Sequence, residues 1–195
     1  MLNIVNYLNE NELLKVLDKY NVFDIASHEK KVSIYALRLL DSLSPYYQFK
    51  DEERNILYYS ALVHDIGYFI NKENHHQHTK YIILKEPLLD ILPINIRNNL
   101  AIIASSHGKS IDGAIDFYPE KEKTAILKLI SILRIADSLD HKHNLHVLLE
   151  KVEMKNATLN IQIKGDASTI IVKKFKKRSS LFSKMYDIPI YMECI

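Results

Sequence analysis

Apolar residues recur at helical spacing through the first 140 positions of the chain and then switch to alternation. Residues 9–20 place Leu13, Leu14 and Leu17 on one face and predict a short first helix. The next run opens at Asp24 or Ser27 as caps, continues to about Leu43, and sets His28, Val32, Tyr35 and Leu39 at i, i+4, i+7 and i+11. Ser44-Pro45 ends it. A third helix is expected from Asp51, where Asp51, Glu52 and Glu53 suit the positive end of a helix. Leu57, Ala61, His64 and Tyr68 share its inner face, with Asp65 beside it. After a polar turn at Asn71 to Asn74, a shorter helix runs from about His76 to Glu86 and is closed by Pro87. Ile96, Leu100, Ile103 and His107 repeat the spacing through a helix from Asn95 to His107, which Gly108 stops. Beyond a loop at 109–119, Ile126, Ile130, Leu133, Asp137 and Asp140 mark a long helix from Glu120 to His141.

After about Leu145 the period shortens. Val147–Met154 and Thr158–Lys164 read as strands about the turn Lys155-Asn156-Ala157, with Leu159, Ile161 and Ile163 alternating with polar neighbours. Between Ala167 and Tyr186, Ile170-Ile171-Val172 favours a strand, but Ile171, Phe175, Phe182 and Met185 keep helical phase. A helix is expected there, followed by a short strand at Ile188–Glu193. The expected fold is mainly α: a helical bundle over residues 1–145 with a small C-terminal α+β appendage over residues 146–195.

Four of the helical stripes carry one residue each that is out of place in a core: His28, His64, His107 and Asp137. Aspartate is almost never buried unless it is paired or coordinates something. Imidazole nitrogen and carboxylate oxygen are the ligand types that borderline divalent metals take. A single inward histidine is usually a satisfied core residue, but His64-Asp65 shifts that balance. Adjacent helical positions point about 100° apart, so both reach one ion only from the seam between them. His28, His64, Asp65 and Asp137 make a sufficient mononuclear set. A second ion, with Asp65 bridging, would draw nitrogens from His107 and from His78 (or His75 or His76). Of these, His75 and His76 read as a solvated turn, and His78 is better placed, one turn into its helix. The cofactor expected is one or two divalent ions (Mn, Mg, Fe, Zn or Ni).

Composition narrows the classes. The 195 residues are enough for one domain, with 47% hydrophobic and 26% charged residues, as in ordinary globular proteins. A net charge of +2 does not by itself imply a nucleic-acid partner. Four glycines cannot build a Gly-rich phosphate loop, and the single Cys194 excludes an internal disulfide and a thiolate zinc cluster. No apolar run approaches a membrane span, so no membrane partner is expected and a cytoplasmic protein is the default. Lys173, Lys174, Lys176, Lys177 and Arg178 form a basic run. Such a run is ordinarily a solvated face; otherwise it guides a polyanion. With few aromatics between the charges, sequence-specific nucleic-acid recognition is not expected.

The order His28, His64-Asp65, His107, Asp137 resembles the HD-domain superfamily of metal-dependent phosphohydrolases. Three stretches resemble more closely the C-terminal HD region of the exopolyphosphatase and guanosine pentaphosphate phosphatase family. They are His-Asp-Ile-Gly-Tyr-Phe-Ile (64–70), His-His-Gln-His-Thr-Lys-Tyr (75–81) and Ile-Leu-Arg-Ile-Ala-Asp-Ser-Leu-Asp (132–140). Ser-Ser-His-Gly-Lys (105–109) and the tail through Leu181-Phe182 extend the similarity over nearly the whole chain. The family's actin-like ATPase domains have no counterpart in these residues, and His141 stands where the family usually shows an arginine. In many of the larger proteins the HD motif is degraded, whereas here it is intact. The resemblance implies an HD-domain bundle and a phosphohydrolase acting on a nucleotide, phosphoester or polyphosphate-like substrate through a metal-activated water. Asp65 and His64 are then the catalytic pair, and Lys109 and Arg134 the cations closest to a substrate phosphate. Two other readings stay open. One is a regulatory module that binds nucleotide or polyphosphate without turnover, assembled with a separate actin-like phosphatase subunit. The other is a di-iron HD-type oxygenase, which a six-ligand set with His78 and His107 permits. A homodimer is implied by the resemblance alone.

Overall fold

Local signals set the first helices. Asn9 and Glu12 form a reciprocal capping box, each side chain accepting the other's backbone N–H (3.0 and 3.1 Å), and α1 (Glu10–Tyr20) follows. In α3 (Asp51–Leu62) the Glu53 carboxylate likewise accepts the Lys50 N–H at 2.9 Å. The computed structural model describes residues 1–22, 26–140, 146–165 and 169–195. Within them the order continues with α2 (Ala26–Leu43) before α3, then α4 (His75–Lys85), α5 (Ile94–Ser105), α6 (Glu120–Leu139), β1 (Val147–Lys155), β2 (Thr158–Gly165), α7 (Thr169–Tyr186) and β3 (Ile190–Cys194). Ser27 lies inside α2 rather than ahead of it. Asp24, His141 and the boundary expected at 145 fall outside the described residues.

The protein is mainly α with a small α+β appendage. Helices α2, α3, α5 and α6 pack around a core in which Leu39, Leu57, Leu100 and Leu133 are fully buried. Helix α4 lies on α5, and α7 lies along α6 with Phe182 fully buried. No described helix is long and apolar enough to cross a membrane.

The sheet has the order β1-β2-β3, antiparallel between β1 and β2 and parallel between β2 and β3. Asn156 and Ala157 turn the hairpin with φ of 52° and 55°, the left-handed pair that a tight two-residue turn requires. An open strand edge invites foreign pairing, and α2 covers that of β1. Tyr35 Oη donates to the Val147 carbonyl at 2.9 Å and accepts the Leu149 N–H at 3.0 Å. Arg38 donates to the carbonyls of Leu149 and Glu150, and Ser42 Oγ donates to that of Val152 at 3.1 Å. Among the described residues, the helix whose first turn carries His28 is therefore joined to the appendage by five hydrogen bonds.

Candidate metal centre

Two helices stop short of their expected ends, and the site follows from that. The helical phase of Leu57 and Ala61 extends to His64, and that of Leu100 and Ile103 to His107, yet α3 ends at Leu62 and α5 at Ser105. Each histidine lies two residues past its helix and turns Nδ1 back onto one of the carbonyls that a helix end leaves without a partner. His64 Nδ1 reaches the Ala61 oxygen at 2.7 Å, and His107 Nδ1 reaches that of Ala104 at 2.6 Å. His75, the first residue of α4, does the same to Lys72 O at 3.1 Å. A carbonyl only accepts, so Nδ1 carries a proton in all three rings, which leaves Nε2 of a neutral ring as a lone pair. In α2, His28 places Nδ1 2.8 Å from Asp140 Oδ2.

The four Nε2 atoms converge on one carboxylate. Asp65 Oδ2 lies 3.8 Å from His28 Nε2 and 3.5 Å from His64 Nε2. Asp65 Oδ1 lies 3.4 Å from His75 Nε2 and 3.2 Å from His107 Nε2. Asp137 Oδ1, from α6, faces the first pair at 3.7 Å from His28 and 3.9 Å from His64. Two donor groups that share Asp65 result: His28, His64 and Asp65, and Asp65, His75 and His107.

Neighbouring residues hold these ligand types in place. Asp140 spans His28 and Lys31, whose Nζ donates to Oδ1 at 3.0 Å. Thr79 Oγ1 donates to the His64 carbonyl at 2.8 Å and accepts the Gly67 N–H at 3.0 Å, tying α4 to the His-Asp turn. Tyr68 stacks on His75 with ring centroids 4.2 Å apart. The Glu29 carboxyl accepts the backbone N–H of Asp65, and burial with the Asp65 charge pushes it well above the usual range.

Burial drives the His64 ring down to about 4, so it is neutral and its Nε2 lone pair is available. Burial also works against charge on Asp65, but the imidazoles around it, with His107 in hydrogen-bond reach and His28 charged, outweigh it and hold that carboxyl well below its usual range. Burial opposes a proton on His28, yet Asp137, Asp140 and Asp65 together raise it to about 10. The site therefore joins an ionised carboxylate pair to imidazoles aimed at them.

A cavity of about 360 Å³ opens onto Asp65, Asp137, His75 and His107, and its wall carries Lys72, Lys109, Lys174 and Arg178. Lys109 is thus part of the cavity wall. Arg134 does not line the cavity. Its guanidinium is buried and donates to the Ser106 and Ser110 carbonyls at 2.7 and 2.8 Å, so it shapes the loop that bears His107 and Lys109. His78 is placed in neither donor group; the docking of α4 through Thr79 brings His75 in instead.

A family model described as Ppx/GppA phosphatase, domain III, matches residues 10–178. The chain belongs to the Ppx/GppA domain III family. No curated protein matches it.

Whether this domain III chain suits a metal is decided by its own atoms. His64 Nε2 is completely buried and makes no hydrogen bond among the described residues. His75 and His107 set their Nε2 atoms 2.9 Å apart with both Nδ1 protons already committed to carbonyls, an approach that a cation or an added proton must mediate. Nitrogen and carboxylate donors in this mixture suit a borderline divalent ion, and every imidazole has the outer partner that fixes a ligand's orientation. The residues fit the group.

Two contributors stand outside the ligand set that the sequence pattern favours. His75 reads as part of a solvated turn, although its place one residue beyond Asn74 and the aromatic at Tyr68 are visible signals. Asp140 stands on the α6 stripe three residues after Asp137, which is the sign that it faces the same site. Replacing Asp140 with Asn keeps the shape but removes the charge behind His28. The expected result is metal affinity weaker by about 10- to 100-fold, read by titrating chelator-treated protein. An unchanged affinity would mean that Asp140 does not orient the ring.

Proposed function

We propose that this domain III chain is a metal-dependent phosphohydrolase that cleaves a nucleotide, phosphoester or polyphosphate-like substrate with a metal-activated water. The observation that carries this reading is the shared carboxylate: each oxygen of Asp65 faces its own pair of imidazoles, at the wall of an open, cation-bearing cavity. His28, His64, Asp65 and Asp137 would hold one ion, and Asp65, His75 and His107 a second. A bound divalent cation supplies Lewis acidity and a water nucleophile near neutral pH. The chain's own part is positional. Ala61, Ala104 and Lys72 carbonyls fix three imidazoles, Asp140 fixes the fourth, and Asp65 stays ionised between them. Lys109 offers positive charge to phosphoryl oxygens entering the cavity. Polyphosphate-like substrates are consistent with the family.

The test is metal content and hydrolysis measured on the same sample, purified without chelator. A generic phosphodiester, a nucleotide panel and polyphosphate are each assayed with and without added manganese. Bound metal together with turnover, both removed by chelation and restored by manganese, is the expected outcome. Metal without turnover on any substrate would favour a binding module, and absence of metal under every condition would remove the proposal.

A further inference from the structure

Helix α7 has no part in the reaction just described, yet it delivers charge to the site. Its five cations between 173 and 178 sort onto two faces. Lys173, Lys176 and Lys177 are exposed. Lys174 and Arg178, one helical turn apart, are half-buried and line the cavity that contains Asp65 and Asp137. Packing dictates this division: Ile171, Phe175 and Phe182 bury one stripe of α7, and residues 174 and 178 fall on its flank. Arg178 also donates to the Gly108 carbonyl, joining α7 to the loop that carries Lys109.

Cations partly withdrawn from water beside one another are unfavourable unless an anion joins them. Lys174 feels Arg178, Lys109 and Lys177 against its own charge, with Asp137 as the nearby opposing carboxylate. Around the cavity, four Lys and Arg side chains face two carboxylates, and those carboxylates are engaged by imidazoles. The imbalance grows when a divalent cation is bound. One guanidinium N–H on the Gly108 carbonyl leaves Arg178 further donors for a forked grip on a phosphoryl group.

We infer that Lys174 and Arg178 are the phosphate-anchoring pair of this site, holding non-reacting phosphoryl oxygens of the substrate, so that the C-terminal helix completes a pocket whose metal-type donors come from the bundle. That the anchored anion is a substrate rests on the phosphohydrolase reading; that the pair binds a phosphate anion does not.

The exposed face of the same helix is the control. Pyrophosphate binding to the manganese-loaded full chain is measured by calorimetry for wild type, Lys174→Gln, Arg178→Lys and a Lys173→Gln/Lys176→Gln/Lys177→Gln triple variant, with metal content and melting temperature recorded for each. Lys174→Gln is expected to weaken binding by about tenfold with metal content unchanged, as for loss of one charge-assisted hydrogen bond. Arg178→Lys, which keeps the charge but loses the fork, is expected to weaken it as well. The triple variant, although it removes three charges, is expected to stay within about twofold, because exposed charges are screened. Equal weakening in the triple variant, no change in Lys174→Gln, or no binding by the wild type would overturn the inference. Binding lost in Lys174→Gln from a protein that hydrolyses nothing would uphold the pair and remove the phosphohydrolase. Turnover with KM unmoved in Lys174→Gln would do the reverse.

Discussion

Asp65→Ala is expected to empty both donor groups and to lower any phosphoester hydrolysis by on the order of 10³-fold or more, since Lewis-acid stabilisation is worth several kcal/mol and each 1.36 kcal/mol is about tenfold in rate. The reasoning is geometric: Asp65 is 3% exposed and supplies an oxygen to each group, so no other described residue serves both. His107→Ala gives the contrast. It should cost the second ion while leaving His28, His64, Asp65 and Asp137 able to retain the first. Metal stoichiometry by mass spectrometry, with turnover on the same samples, separates the cases. Full metal retention in Asp65→Ala would show that this carboxylate is not a ligand.

The second large effect comes from a residue without a side chain. A Cβ at position 67 would collide with the His75 carbonyl oxygen and the Thr79 amide, both backbone atoms at the start of α4. Backbone cannot rotate aside as a flexible side chain can, so Gly67→Ala must push α4 off the His-Asp turn. Overpacking of this kind costs about 3 kcal/mol, at the upper end of its usual range. In a chain of this length that lowers the melting temperature by roughly 10 °C. Because α4 carries His75, the second donor group should lose metal before the first. Gly113→Ala is the matched control, since a Cβ there meets nothing within 4 Å. A Gly67→Ala protein that melts with the wild type would refute the close approach as a constraint.

The bundle is legible in the chain because a core stripe repeats every 3.6 residues, and α1 through α6 each show it. The His64-Asp65 pair is legible because an aspartate beside an apolar stripe is seldom buried without a partner or an ion. Periodicity fails at the helix ends for a definable reason. It records which face a residue occupies, and His64 and His107 do face inward. It does not record that an imidazole can take over a terminal carbonyl and let the backbone leave the helix there. Helical phase favours His78 over His75 because the choice depends on how α4 docks. That docking is made by Thr79, which shares His75's face of α4 at i+4, against Gly67 and the His64 carbonyl outside the helix. The placements of Arg134 and Arg178 escape the sequence for a similar reason. Both are basic residues on amphipathic helices, and only tertiary packing shows that one guanidinium props up a loop while the other reaches the cavity. The basic run on α7 hides two faces behind one composition.

The main-chain anchoring of three imidazoles bears on how this pocket tolerates mutational drift. The carbonyls of Ala61, Lys72 and Ala104 remain where they are whatever side chain each position bears, provided the backbone path is kept. Changes at these three positions should therefore leave ring orientation almost untouched, whereas His28 depends on a side-chain partner that one substitution removes. The centre is robust on three corners and fragile at the fourth, and degeneration of such a site in a lineage would be expected to start with the loss of Asp140.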